Sequence, residues 1–425
     1  MVLAGAFLGG AASRLLPATI PFRFFGAAVV CHLFAWLALL VQPERIARFA
    51  AAPGWPLAAL HLVTLGVLVM TAIGASLQLL PVATRQPVRS IAWPAAIWWL
   101  YTPGVAAVAL GMGLGVPMLL AAGAVAVVLA LLVFAALLAI NLRGARGMPA
   151  VVAHGWAALV CLGVALATAT SLAAAWMGLP GIDRNTALAL HVGFAAYGFM
   201  GLLALGLSNI LVPMFALSQA PGARQALASC ALAVAALASA AAAALGLATQ
   251  PARIAAVALG AAAVALHLRQ MHEALRGGMR RNLGRSLTLV RIGWACLAAS
   301  LALALALATG AQRDGLATLF GLALIPGWLL TFLLGILQRI LPFLAAMHSP
   351  RGSKRPPTPS SLTADRPLAI HFFCHLAALA GLALAVVADS PTLAMVAAAV
   401  GAIGAAAFGA FFVVVLRRMN APAVA

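Results

Sequence analysis

The chain of 425 residues is 65% apolar and 7% charged, with a mean hydropathy of +1.12, which excludes a water-soluble enzyme. Its formal charge of +19 is carried by basic residues in short stretches between apolar runs, so it reads as the positive-inside pattern and not as a nucleic-acid-binding face. One Lys, Lys354, stands among 25 basic residues, a composition bias without functional weight.

Twelve apolar segments are long enough to span a bilayer: near 23–42, 56–81, 92–111, 117–141, 151–178, 187–213, 224–247, 254–275, 287–309, 316–342, 367–388 and 393–416. In lipid such runs must be helical, because every unpaired backbone amide there is costly. The apolar Met1–Ala12 precedes its nearest basic residue, Arg14, so no cleavable signal peptide is expected. The N-terminus, the loops after even-numbered segments and the C-terminus hold 20 basic residues; the opposite side holds five, Arg45, Arg48, Arg184, Arg253 and Arg313. Both termini are therefore expected in the cytoplasm, with residues 1–425 forming one transmembrane domain of a bacterial inner membrane. The longest connection, roughly 349–366, is Pro/Ser-rich and basic and reads as flexible. Cys31, Cys161, Cys230, Cys296 and Cys374 all fall inside apolar runs without CxxC or zinc spacing, and read as small buried hydrophobes.

One stretch occurs three times, at Leu60–Pro87, Leu190–Pro221 and Leu319–Pro350. Aligned without gaps, Gly66, Gly74 and Pro81 match Gly198, Gly206 and Pro213, and then Gly327, Gly335 and Pro342, at offsets of 132 and 129 residues. A spacing of eight then seven keeps the three positions within roughly 80° on a helical face. Small residues there admit a neighbouring backbone or a flat ligand, and each proline marks where the helix can end. The repeated helix is the second, sixth and tenth segment, so the unit is four segments. The expected fold is an all-α, three-fold pseudo-symmetric bundle of three four-helix units.

All six acidic residues, Glu44, Asp183, Glu273, Asp314, Asp365 and Asp389, lie at or near segment ends, which leaves no carboxylate pair or proton relay and argues against a driven ion pump. The histidines carry more. His61 and His191 lie about one turn inside the outer ends of the second and sixth segments, at similar depth. A neutral imidazole in an apolar bundle is a common haem-iron or metal ligand, and equally a packing residue bonded to a backbone carbonyl. The ungapped alignment sets His61 opposite Gly193, so His191 is displaced by roughly 200° and the two need not face one ligand. His32 lies mid-segment beside Cys31. His371 and His375 share one helix face at i, i+4, a geometry that can clamp a metal, at a depth expected to be far from His61 and His191. His154, His267, His272 and His348 are expected at the cytoplasmic boundary, solvated or facing headgroups. Trp98, Trp99 and Tyr101 read as an interfacial belt or packing, and Trp328 as packing or as a cofactor wall.

The twelve segments, the repeated helix and the stretches HVGFAAYGFMGLLALGLSNILVP and HLVTLGVLVMTAIGASLQLLPV resemble subunit I of the haem-copper oxidases. The likeness is closer to short oxidase-subunit-I-like bacterial proteins and more distant to the haem- and copper-containing NnrS-type proteins. It implies three helical arcs enclosing pores, His61 as a low-spin haem ligand and His191 as a copper ligand. The departures are specific. The seventh segment has no histidine for the copper pair, the tenth has Phe320 and Gly321 where haem-ligating histidines would stand, and Ala195 occupies the place of a tyrosine. The resemblance thus implies the family's fold without its oxygen-reducing centre, and any second axial ligand to a haem on His61 would be His32, a methionine or none. The expected function is binding of haem b, copper or both through His61, His191 and His32, with His191, His371 and His375 as metal candidates. The role would lie in respiration, nitric-oxide handling or cofactor delivery, beside other respiratory or assembly subunits. A facilitator of a small apolar substrate and an assembly scaffold are the alternatives, in which the histidines only pack.

Overall fold

A computed structural model of the chain describes residues 16–86, 90–280, 283–349 and 357–421. Met1–Ala12, Arg14, Lys354, Pro87 and Pro350 lie outside the described residues. The regular elements are all helical. Twelve helices are long and apolar enough to cross a bilayer: span 1 (Thr19–Leu39), span 2 (Trp55–Thr84), span 3 (Ala92–Leu114), span 4 (Pro117–Arg143), span 5 (Pro149–Trp176), span 6 (Arg184–Ala216), span 7 (Ala223–Ala244), span 8 (Thr249–Arg276), span 9 (Gly284–Ala308), span 10 (Leu316–His348), span 11 (Asp365–Val387) and span 12 (Pro391–Met419). The chain is therefore an integral, multi-pass membrane protein in contact with lipid.

The three copies of the repeat are the most enclosed helices. Spans 2, 6 and 10 bury 61–78% of their central apolar stretch, against 17–44% for the other nine. Each carries a π-helical segment in the same register, at Leu62–Val69, Gly193–Gly201 and Ala323–Leu330. Those of spans 2 and 6 both touch that of span 10. A π turn widens the helix and releases carbonyls from the regular ladder. Tyr101 of span 3 donates to one of them, Leu65 O, at 3.0 Å.

Packing repeats as closely as sequence. A Cβ built on Gly66 would meet the Cys31 Cβ at 2.6 Å; on Gly198 it would meet Cys161 at 2.8 Å, and on Gly327 Cys296 at 3.1 Å. Two turns further along, Gly74 faces Phe24, Gly206 faces His154 and Gly335 faces Leu289. In each unit the first span thus lays two residues seven apart onto the glycines of the second. Three of the five cysteines are this equivalent contact, close enough that the side chain opposite must be absent. Spans 3 and 4, 7 and 8, and 11 and 12 pair along their lengths, and spans 4, 8 and 12 pack against spans 5, 9 and 1. The last contact closes the three units into a ring.

Each repeat proline lies inside its helix instead of ending it. Proline removes its own N–H, yet its carbonyl still accepts. Gln86 and Ser218 amides close on Pro81 and Pro213 carbonyls at 3.1 and 3.0 Å. The first two copies stop one turn later in left-handed residues, Arg85 and Leu217 (φ 59° and 54°), while the third runs on to His348. The described part of the 349–366 connection holds a short helix, Pro359–Leu362, capped by Thr358. Arg418 ties it to span 12 by donating to the Ser361 and Thr363 carbonyls at 3.1 and 2.7 Å.

Two of the expected boundary histidines are elsewhere. His154 and His267 are each 1% exposed, inside the bundle. His154 takes the place opposite Gly206, where the close helix approach leaves no room for headgroups. His272 is exposed as expected, and His348 bridges the Leu344 and Leu16 carbonyls at 2.8 and 3.0 Å.

Candidate functional site

In the half of the bundle remote from the described chain ends, spans 2, 6 and 10 part to line a partly open apolar cavity of about 650 Å³. Spans 1, 3, 4, 5 and 11 complete its wall. That volume falls within the roughly 300–1,000 Å³ of small-molecule and cofactor sites.

His61 and His191 both line it. The His61 Nδ1–H donates to its own helix at Leu57 O, 3.0 Å away; the His191 Nδ1–H donates across to Ala165 O of span 5 at 3.1 Å. A carbonyl can only accept, so each Nδ1 carries the proton and each Nε2 keeps its lone pair. Neither Nε2 has a hydrogen-bond partner among the described residues. This is the arrangement that orients an imidazole for ligation. The angular mismatch along the repeat is what brings the two together. A central helix in a three-fold ring borders a space on either side, so residues of successive copies that face one shared space sit about half a turn apart.

The N-terminal end of span 6 is fixed by charge. Asp183 caps it, accepting from Thr186 N–H at 3.0 Å and Thr186 Oγ–H at 3.2 Å, and these bonds hold its carboxyl below the usual aspartate range. A depressed carboxyl pKa means that the cap stabilises above the ordinary range and is lost as pH falls through the lowered value. Asp183→Ala should accordingly speed amide exchange of the Thr186 turn at neutral pH, read by hydrogen–deuterium exchange; unchanged protection contradicts the cap. Arg184 beside it lines the cavity and donates to the Ala50 and Ala51 carbonyls at 3.4 and 3.1 Å.

The positions where the sequence comparison led to histidines on span 10, Phe320 and Gly321, line the same cavity. A Cβ on Gly321 or on Gly193 would meet nothing within 4 Å. Trp328 does not line it; at 2% exposure it packs against Tyr197, 5.7 Å between ring centroids. Trp99 is exposed, while Trp98 holds Arg23 by its Nε1–H to the Arg23 carbonyl at 3.2 Å and a cation–π contact of 5.7 Å. His32 is not among the residues that line the cavity; it lies against His371 across the span 1–span 11 contact, with His375 next in line. Among the described residues no group of three or more His, Cys, Asp or Glu is arranged to hold a metal ion.

Fold and site together define a class: a membrane protein whose described residues are all-helical with twelve spans and a three-fold repeat, and which carries an apolar cavity bearing two free imidazole nitrogens. No family model matches the chain, and no curated protein matches it.

Proposed function

We propose that the cavity takes a b-type haem, which His61 and His191 would hold through their Nε2 atoms, in a bundle related to subunit I of the haem-copper oxidases. The observation that carries this is the pair of unpartnered Nε2 atoms on two walls of one apolar space. A haem brings its porphyrin nitrogens with it, so the two imidazoles of His61 and His191 would suffice to hold it. Arg184, a cation on the cavity wall, suits the carboxylates of such a ligand. When bound, haem supplies one-electron redox chemistry. The chain's own residues would hold it and fix both imidazole tautomers. The reading includes a bacterial inner membrane with both termini in the cytoplasm, the cavity towards the outside, and a role in respiration, nitric-oxide handling or cofactor delivery.

The test is haem content. Protein purified from cells supplied with a haem precursor should yield close to one haem b per chain in the pyridine haemochrome assay. A colourless preparation that stays colourless after haem is added favours a facilitator of small apolar molecules using the same cavity.

A further inference from the structure

A second histidine cluster lies beside the span 12–span 1 contact that closes the ring, its side chains supplied by spans 1 and 11, outside the cavity. His32, His371 and His375 are 0–1% exposed. Their rings follow one another, His32 to His371 at 6.0 Å and His371 to His375 at 5.4 Å between centroids. Each ring has one nitrogen bonded and one without a partner: His32 Nδ1, His371 Nε2 and His375 Nδ1.

The bonded nitrogens fix the protons on the others. Trp36 Nε1 can only donate, and it reaches His32 Nε2 at 3.2 Å, so in the neutral ring the proton of His32 sits on Nδ1. His371 Nδ1–H donates to Gly404 O at 3.1 Å, leaving a lone pair on Nε2. The Thr331 hydroxyl spends its proton on Pro326 O at 2.8 Å, so His375 Nε2–H donates to Thr331 Oγ1 at 2.8 Å and leaves a lone pair on Nδ1. What remains is one donor and two acceptors, all buried.

We propose that these three nitrogens enclose one ordered water, which accepts from His32 Nδ1–H and donates to His371 Nε2 and His375 Nδ1. Neighbouring ring centroids 6.0 and 5.4 Å apart, with no direct hydrogen bond between the rings, are the spacing that a bridging water would fill. Three partners are the usual number for a buried water, and an orphaned buried polar group is costly. With the water in place every proton in the chain from Trp36 to Pro326 has an acceptor. The trio is then neutral and closed, a hydrated latch between the last unit and the first. Copper on His371 and His375 would leave the His32 N–H facing a cation. This cluster is therefore of a different kind from His61 and His191, whose lone pairs stay open.

Solid-state NMR of the full-length chain, labelled with ¹⁵N-histidine in lipid nanodiscs, tests this. The expected result is a proton on Nδ1 of His32 and His371 and on Nε2 of His375, a water cross-peak to the His32 N–H, and no shift of the three on adding copper(I). Copper-induced shifts of His371 and His375, or a His32 N–H bonded straight to His371 without a water contact, would overturn the proposal. Haem-free protein should give the same spectrum, so failure of the haem reading is seen separately, in the absent Soret band. A His375→Gln variant that folds should lose the water cross-peak; its persistence would equally overturn the proposal.

Discussion

Purified His61→Ala protein is expected to lose the Soret band that the proposed haem would give the parent. Removing only the partner behind a ligand weakens metal sites by roughly 10–100-fold. Deleting the nitrogen that faces the iron should cost at least that. His191→Ala should lose the same band or shift it to that of a high-spin iron, because His191 holds the other wall of the same cavity. His272→Ala, at an exposed position on span 8, should leave the spectrum unchanged. Gly321→His in the His191→Ala background offers a rescue, since that position lines the cavity and its Cβ meets nothing within 4 Å. A band of full intensity in both His61→Ala and His191→Ala would contradict the assignment.

The second large effect is on stability and separates tight glycines from loose ones on a single helix. Gly198→Ala puts a Cβ 2.8 Å from Cys161, which overpacks the contact between spans 5 and 6. The expected cost is about 1–3 kcal/mol. Gly193→Ala, five residues earlier in open space, should be neutral or stabilise by about 0.4–1 kcal/mol. Because the clash is with Cys161 itself, adding Cys161→Gly should recover part of the loss, a coupling of roughly 0.5–3 kcal/mol. Equivalent changes at Gly66 with Cys31 and Gly327 with Cys296 should follow the same sign, with the strongest recovery at Gly66, where the Cys31 Cβ is 2.6 Å away, and the weakest at Gly327, where the Leu322 carbonyl at 2.9 Å is closer than Cys296 at 3.1 Å. Unfolding midpoints in mixed micelles would read the series. Additive losses without recovery in all three double variants would remove the equivalence of the units.

What the sequence makes legible is whatever repeats along one helix. The Gly66–Gly74–Pro81 pattern and its two copies mark spans 2, 6 and 10, and these are the central helices. The partners of those glycines were not legible. Cys31, Cys161 and Cys296 precede them across loops of unequal length, so no fixed spacing joins cysteine to glycine. Their own period, 130 then 135 residues, was a signal that went unused. The π segments leave no mark in the hydropathy pattern, yet they sit where the cavity opens. His61 and His191 looked divergent because one helix was compared with another, whereas a cavity compares the facing sides of neighbours. His32 and His371 lie 339 residues apart and meet only because span 12 returns to span 1. Depth alone points His154 and His267 to headgroups, but it takes no account of which face of the helix they occupy.

The most direct single measurement is the electron paramagnetic resonance spectrum of the oxidised, haem-loaded protein in lipid. Two imidazoles on one iron predict a low-spin bis-histidine signal that turns high-spin in His191→Ala and disappears with the haem in His61→Ala. A high-spin signal in the parent, or a low-spin signal that survives both substitutions, would contradict a cavity in which spans 2 and 6 share one ligand.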